Sequence, residues 1–224
     1  MIQAMTTPLG AGDCEALGDG WLLQPVEAWS SLAYTVVGII LIFAARRSAP
    51  PERAMRIAFG LLMAATGIGS FLYHGPQSSG AGFIHDVTFL VTLWFVALMD
   101  PAISLRIRRR SAWLAFGVVA ALIAVVLLLA PTSTNALTAG AVVALVLSTV
   151  QMHRVGGINV RWYATALALL ALSLVFNFLG RTDASTCDPE SRLRFHALWH
   201  MLSAGARGGY VLSVTVPGNR GPSW

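Results

Sequence analysis

The chain has 224 residues, of which 56% are hydrophobic and only 11% are charged. A soluble domain of this size normally has about a quarter of its residues charged, so the composition is that of a membrane protein. The net charge of +5 comes from arginines in short clusters between apolar stretches. Such clusters are typical of cytoplasmic loops and argue against a nucleic-acid partner. The chain contains no lysine, which excludes a retinal Schiff base.

Seven apolar segments of about 17 to 22 residues follow one another along the chain, and each can cross a hydrocarbon core about 30 Å thick. Their length and their lack of period-two alternation predict helices and not strands. The predicted fold class is therefore all-α, a single integral membrane domain built as a seven-transmembrane-helix bundle. The predicted helices are 29–45, 54–74, 84–100, 112–130, 135–152, 161–179 and 195–216.

The arginines predict the orientation of this bundle. They concentrate in the loops between helices one and two, three and four, and five and six, whereas eight of the ten acidic residues fall on the other side. Because cytoplasmic loops are enriched in arginine, we expect the N-terminus outside and the C-terminus in the cytoplasm. The abundance of arginine without lysine suggests a GC-rich bacterial genome, so we expect a bacterial inner membrane.

Ionisable side chains inside transmembrane segments are costly and therefore indicate function. Under the predicted topology, three segments that are distant in sequence bring such side chains to the same depth at the outer leaflet. They are Ser70 and His74 at the end of helix two, Asp86 at the start of helix three, and His196 and His200 at the start of helix seven.

Three histidines with an open fourth position are typical of a catalytic zinc site, and His196 and His200 are spaced to present both ligands on one helical face. We therefore predict zinc bound by His74, His196 and His200. Zinc would lower the pKa of a bound water to about 7. Asp86 is predicted to transfer a proton and Ser70 to bond the oxyanion or the water.

Two other histidines have alternative readings. His85 is also a possible ligand, but adjacent helical residues point in different directions, so one of His85 and Asp86 should face away from the site. We choose Asp86 as the functional partner. His153 lies at the cytoplasmic end of helix five and is interpreted as a loop or interface residue. Arg207 in helix seven is expected to snorkel or to pair with Asp100.

The pattern Ser70-x-x-x-His74, then Asp86, then His196-Ala-Leu-Trp-His200 resembles that of the alkaline ceramidases. That family belongs to a superfamily of seven-helix hydrolases that also contains the adiponectin receptors. The resemblance spans nearly the whole chain. It implies zinc on the three histidines, with Ser70 and Asp86 assisting hydrolysis of the amide bond of a ceramide to a sphingoid base and a fatty acid.

The resemblance also implies a calcium site in the acidic N-terminal segment, where several carboxylates would suit this hard cation. The candidate ligands are Glu15, Glu27, Asp13 and Asp19. The tryptophan and asparagine that the family has around its Cys-Glu pair are not at the same spacing here. The alternative is a solvated acidic N-terminus that binds no ion.

Both cysteines, Cys14 and Cys187, fall on the outer side, which is an oxidising environment. A disulfide between them, which the resemblance also implies, would tie the N-terminal segment to the loop before helix seven. The sequence does not show whether their Cα atoms come close enough to pair.

Three functions compete. The first is a zinc-dependent amide hydrolase whose substrate is a membrane lipid, ceramide or a related N-acyl lipid. The second is a receptor or sensor in which the metal is structural, which is the expectation if the adiponectin-receptor branch is the closer relative. The third, a proton or metal transporter, is weaker because the polar residues cluster at one leaflet.

Overall fold

The computed structural model describes residues 8–48, 50–191 and 193–215, and within these ranges it contains seven long helices and no strand. The helices are α1 (Pro25–Ala45), α2 (Pro50–His74), α3 (Ala81–Ser104), α4 (Arg109–Leu129), α5 (Thr134–Arg154), α6 (Val160–Leu179) and α7 (Phe195–Ser213). A short 3₁₀ turn, Pro131–Ser133, precedes α5.

Six of the helices, α1 to α6, are long and apolar enough to cross a membrane. Large apolar side chains on α4, α5 and α6 are exposed, among them Leu114, Leu147 and Phe178, as expected for helices that face lipid. The helix that falls short of this hydropathy is α7, which has polar residues every three or four positions. Its predicted span therefore remains a prediction.

The helices extend beyond the apolar segments mainly at their N-terminal ends. The first four begin three or four residues before the predicted starts, at Pro25, Pro50, Ala81 and Arg109. Proline suits the first helical turn because its missing N–H has no helical partner there. A hydropathy pattern does not detect such polar or proline-containing turns. At its other end α3 continues past Pro101 to Ser104, whereas 100 was predicted.

The end of the seventh helix also differs from the prediction. The structure ends α7 at Ser213, where the chain becomes extended, whereas 216 was predicted. Residue 216 itself lies outside the described residues.

The helices α1 and α3 organise the bundle. The first packs against α2 and α7, and the third packs against α2, α4 and α5, while α6 packs on α7. At the crossing of α1 and α2 the backbones approach closely, because a Cβ added at Gly38 would lie only 2.4 Å from the carbonyl oxygen of Gly60. Small residues permit this contact between helices in a membrane.

All seven helices alternate in direction, so their ends form two faces. One face combines the N-terminal ends of α1, α3, α5 and α7 with the C-terminal ends of α2, α4 and α6, and we call it the histidine end. The other is called the opposite end, where the backbone N–H of Asn159 donates to the carbonyl of Ser213.

A segment before α1, residues 8–24, covers the histidine end. Its Glu15 carboxylate accepts hydrogen bonds from the backbone N–H groups of Val26 (3.0 Å) and Glu27 (2.8 Å). These are free N–H groups of the first turn of α1, so Glu15 caps this helix. The cap fixes the covering segment to the bundle.

Candidate metal centre

A cavity of about 260 Å³ opens at the histidine end between α1, α2, α3, α6 and α7. Its wall contains both ionisable and aromatic side chains: Asp13, Tyr34, Thr66, Ser70, Tyr73, His74, His85, Phe89, Asn177, His196, Trp199 and His200. The predicted ligands from α2 and α7 therefore line one common space. Ser70, predicted from its spacing to His74, lines it too.

The three predicted zinc ligands lie together at the top of this cavity. The ring centroids are 5.4 Å apart for His74 and His196, 5.2 Å for His74 and His200, and 4.6 Å for His196 and His200. One nitrogen from each ring lies within 4.8 Å of the other two. This group could hold a metal ion.

The environment of His74 selects one of its ring nitrogens as the ligand. The amide nitrogen of Gln24 donates to the carbonyls of Gly10 (3.0 Å) and Glu15 (2.9 Å), so the amide oxygen of Gln24 faces His74 Nδ1 at 3.0 Å. An amide oxygen only accepts, which requires a proton on Nδ1. The lone pair of His74 is therefore on Nε2, the atom left for a metal.

His200 also has an oxygen beside its Nδ1, because this atom lies 2.9 Å from the hydroxyl of Ser30. The single hydroxyl proton of Ser30 is directed to the carbonyl of Glu27 at 3.0 Å. Ser30 therefore accepts from Nδ1–H of His200, and Nε2 again retains the lone pair. Within residues 8–48, 50–191 and 193–215, Nε2 of neither histidine makes a hydrogen bond.

His196 faces a carboxylate of the covering segment. Its Nδ1 lies 3.2 Å from Asp13 Oδ1. Cys14 and Cys187 hold this carboxylate in place, because they form a disulfide with a Cα–Cα distance of 5.5 Å. The backbone supports the same position: Cys14 N–H donates to the carbonyl of Gly180, and Asp13 pairs with Arg181 in an isolated β-bridge.

Glu27 completes the cluster from α1. Its side chain is fully buried, with Oε2 lying 3.2 Å from His74 Nδ1. Both carboxylate oxygens of Glu27 and Nδ1 of His196 are buried without a hydrogen-bond partner among the described residues. The 3.2 Å contacts of Glu27 with His74 and of Asp13 with His196 therefore lack hydrogen-bond geometry. Buried polar atoms left unsatisfied are costly, and a cation would remove this cost.

The charge of Asp13 depends on what surrounds it. Burial raises the pKa of the Asp13 carboxyl to about 7, and the positive charge of Arg181 offsets part of the rise. A dication beside Asp13 would favour the ionised carboxylate. Two carboxylates and three imidazoles therefore fit a divalent metal ion, and Asp13, Glu27, His74 and His196 also form a second group with one ligand atom each within 4.8 Å.

Ser70, the predicted oxyanion or water partner, is buried on α2 below the histidines. Its hydroxyl lies 2.8 Å from that of Ser31 on α1, and Ser31 in turn donates to the carbonyl of Glu27 at 2.8 Å. Because the proton of Ser31 is used there, its oxygen can accept the proton of Ser70. A hydroxyl held in this way can also be redirected towards a group in the cavity.

The structure separates His85 and Asp86, the adjacent pair at the start of α3. His85 lines the cavity, whereas Asp86 does not. Asp86 accepts hydrogen bonds from His85 Nδ1 (2.8 Å) and from the hydroxyl of Thr134 on α5 (2.7 Å). One of the two residues does face away, and it is Asp86, the residue chosen from the sequence.

The carboxylates predicted to bind calcium do not form one group in the described part of the chain. Asp13 and Glu27 turn to the histidines, the oxygens of Glu15 cap α1, and Asp19 is exposed. At the other end of the bundle, Asp100 accepts from Tyr210 instead of pairing with Arg207. The guanidinium of Arg207 packs over the rings of Tyr34 and Phe89.

Several side chains of the site were not predicted from the sequence. Gln24 and Ser30 determine which histidine nitrogens are free, whereas Ser31 contacts Ser70, and all three come from one short stretch around the start of α1. The only sequence signal was their polarity at the edge of an apolar segment. No protein-family model matches this sequence, and no curated protein matches it either.

Proposed function

We propose that this protein is a zinc-dependent amide hydrolase and that its substrate is a membrane lipid, namely ceramide or a related N-acyl lipid. The observation that carries the proposal is the position of three imidazoles, each with an oxygen near Nδ1, at the wall of a cavity. Histidines that bind metals usually donate their second ring N–H to such an oxygen, which orients the ring.

The ligand set favours zinc among the common metals. Neutral imidazole suits zinc, copper, iron and nickel, whereas calcium and magnesium prefer oxygen ligands. Three histidines that leave one position open towards a cavity are the arrangement of catalytic zinc sites. When bound, zinc would acidify a water molecule and polarise a carbonyl group.

We propose one bound cation, zinc, and do not include calcium. A calcium ion takes six to eight oxygen ligands, as a rough guide. Glu15 uses its oxygens on backbone N–H groups and Asp19 is exposed, so two of the four predicted ligands are directed elsewhere. Asp13 and Glu27 are better explained as carboxylates of the histidine cluster, because each has an oxygen 3.2 Å from a histidine Nδ1.

The side chains around the cavity supply the remaining functions of a hydrolase. The Ser70 hydroxyl can donate to the oxygen that becomes negative when the amide carbonyl is attacked. The resemblance implies that Asp86, which lies outside the cavity wall, takes part in proton transfer. A cavity of about 260 Å³ accommodates the amide and its neighbouring atoms, while the alkyl chains of a lipid would extend into the bilayer.

The proposal includes the predicted topology. With the N-terminus outside and the C-terminus in the cytoplasm, the histidine end lies at the extracytoplasmic leaflet, where a lipid can enter laterally. The disulfide at this end agrees with an oxidising compartment. The proposed membrane is the bacterial inner membrane.

The test combines metal analysis with product detection. Purified protein should contain about one zinc per chain and release fatty acid from a long-chain ceramide. His200→Ala should lose both properties, whereas His153→Ala, at an exposed histidine near the opposite end of α5, should keep both. Zinc without any turnover would contradict the hydrolase and support the receptor with a structural metal.

A further inference from the structure

The side chain of His85 connects the cavity to a half-buried carboxylate behind it. Its ring lines the cavity, and its Nδ1 lies 2.8 Å from Asp86 Oδ1. The second oxygen of Asp86 accepts from the hydroxyl of Thr134 at 2.7 Å. The carboxylate is therefore fixed from two helices, α3 and α5.

This arrangement selects the protonation of the ring. An ionised carboxylate only accepts hydrogen bonds, so Nδ1 of neutral His85 carries the proton and Nε2 carries the lone pair. The rings of Tyr73 (centroids 4.5 Å apart) and Phe89 (6.3 Å, stacked) lie beside His85 and hold its plane. Within the described residues, Nε2 of His85 makes no hydrogen bond.

A carboxylate behind a histidine whose other nitrogen faces a site is the arrangement of a general acid and base. His85 shares the oxygen behind Nδ1 with the three proposed metal ligands, but it does not belong to the group of nitrogens that lie within 4.8 Å of one another. Ionisable residues inside a membrane bundle are costly. A role in packing alone therefore does not explain a histidine at position 85.

We propose that His85 is the catalytic residue that transfers protons in this site and that Asp86, with Thr134 behind it, is a positioning residue. This inference rests on the proposed amide hydrolysis and changes one of its assignments. Asp86 was expected to exchange the proton itself, but its oxygens are used by His85 and Thr134.

A water molecule adds to the carbonyl carbon of the amide, and Nε2 of His85 accepts the proton that the water loses. The imidazolium, stabilised by Asp86, then gives this proton to the amide nitrogen. The carbon–nitrogen bond breaks, and the products are an amine and a carboxylic acid.

Leaving groups of different basicity test this step. An amide nitrogen must be protonated before it leaves, whereas p-nitrophenolate leaves without a proton. We therefore compare a long-chain ceramide with the p-nitrophenyl ester of the same fatty acid. In His85→Gln, the ratio of amide to ester hydrolysis should fall about 100-fold or more, which is the usual contribution of a general acid. Asp86→Asn should shift the ratio in the same direction, and Thr134→Val less.

A matched control is His153→Gln, the same substitution at an exposed histidine near the opposite end of the bundle. Its ratio should equal that of the unmodified protein. Zinc content is measured for every variant. A His85→Gln protein that keeps zinc and loses both activities by the same factor overturns the inference, and so does one that loses zinc.

A second readout does not depend on turnover. The chain has five histidines, so protein labelled with ¹⁵N-histidine gives few signals, and His85→Gln assigns that of His85. The signal should report the Nδ1–H tautomer, and Asp86→Asn should shift it towards the other tautomer because an amide can also donate. An unchanged tautomer in Asp86→Asn overturns the positioning role.

The two proposals fail in different ways. If the unmodified protein binds zinc but hydrolyses neither the amide nor the ester, the proposed function fails and proton transfer by His85 fails with it. If the protein hydrolyses ceramide and His85→Gln keeps the original ratio, only the inference about His85 fails.

Discussion

Polar side chains are buried at both ends of the same helical bundle, but their partners differ. At the opposite end, Tyr210 donates to Asp100 Oδ2 at 2.5 Å and its oxygen lies 2.9 Å from the hydroxyl of Thr149. At the histidine end, both oxygens of Glu27 and Nδ1 of His196 have no hydrogen-bond partner in the described part of the chain.

The comparison separates a structural cluster from a binding site. Buried polar groups are nearly always satisfied in a native protein, and each exception needs an explanation such as an ion. The cluster of Asp100, Thr149 and Tyr210 joins α3, α5 and α7 by hydrogen bonds and needs nothing more. The histidine cluster leaves three buried atoms without such a partner in the described part of the chain, so it is the candidate binding site, and substitutions at the two ends should have different effects.

The largest effect is expected from His200→Ala, which removes one of the three imidazoles. Zinc content should fall from about one per chain to nearly none, because two imidazoles and an open coordination shell bind zinc weakly. Metal analysis of the purified protein measures this. The control is His153→Ala, and equal zinc in the two variants would show that the metal site lies elsewhere.

A smaller effect is expected from Glu27→Gln, which keeps the size of the side chain and removes its charge. The affinity for zinc should fall about 10- to 100-fold, as is usual when a residue beside a metal-binding histidine is changed. Competition with a chelator measures the dissociation constant. Asp100→Asn makes the same chemical change at the opposite end and should leave the constant unchanged; a similar loss in both would contradict the comparison.

The sequence allowed the helices and the histidine cluster to be predicted because both follow from one pattern. Apolar segments long enough to cross a membrane gave the helices, and their alternating direction brought His74, His196 and His200 to one end. The cluster was confirmed as a possible metal site, while the identity of the metal stays a prediction. These features depend on length and direction, which a sequence shows directly.

The partners of the histidines could not be predicted in this way. Adjacent residues on a helix differ by about 100° in direction, so a helix start uncertain by a few residues does not show whether His85 or Asp86 faces the cavity. Gln24 and Asp13 lie in the covering segment, whose path has no periodicity to read. Asp13 and Glu27 were assigned to calcium because the resemblance implied it, but the fold places them beside imidazoles.

Removing the disulfide should have an intermediate effect that falls mainly on stability. In Cys14→Ser with Cys187→Ser, the covering segment loses its covalent link, and the free energy of unfolding should fall by about 2–4 kcal/mol. Zinc affinity should fall less than in Glu27→Gln, because the backbone hydrogen bond from the Cys14 N–H to the carbonyl of Gly180 remains. Thermal unfolding and chelator competition measure the two; unchanged stability would show that these backbone contacts suffice.

The smallest effect on the metal is expected from Tyr210→Phe, which removes the hydroxyl shared by Asp100 and Thr149. Leaving a buried carboxylate without this donor should cost about 1–3 kcal/mol of stability. The matched control is Tyr163→Phe on α6, because the ring of Tyr163 contacts that of Tyr210 at 6.2 Å and its hydroxyl makes no hydrogen bond in the described residues. Unfolding of the two variants should differ, and zinc affinity should not.

The absence of an effect on zinc is the informative result here. Tyr210 lies ten residues after His200 on the same helix, about 15 Å along its axis, and the two side chains share no partner. Substitutions at such separations usually act independently. If Tyr210→Phe weakened zinc binding about tenfold, α7 would transmit strain between its ends, and the structural cluster would have to be regarded as part of the site.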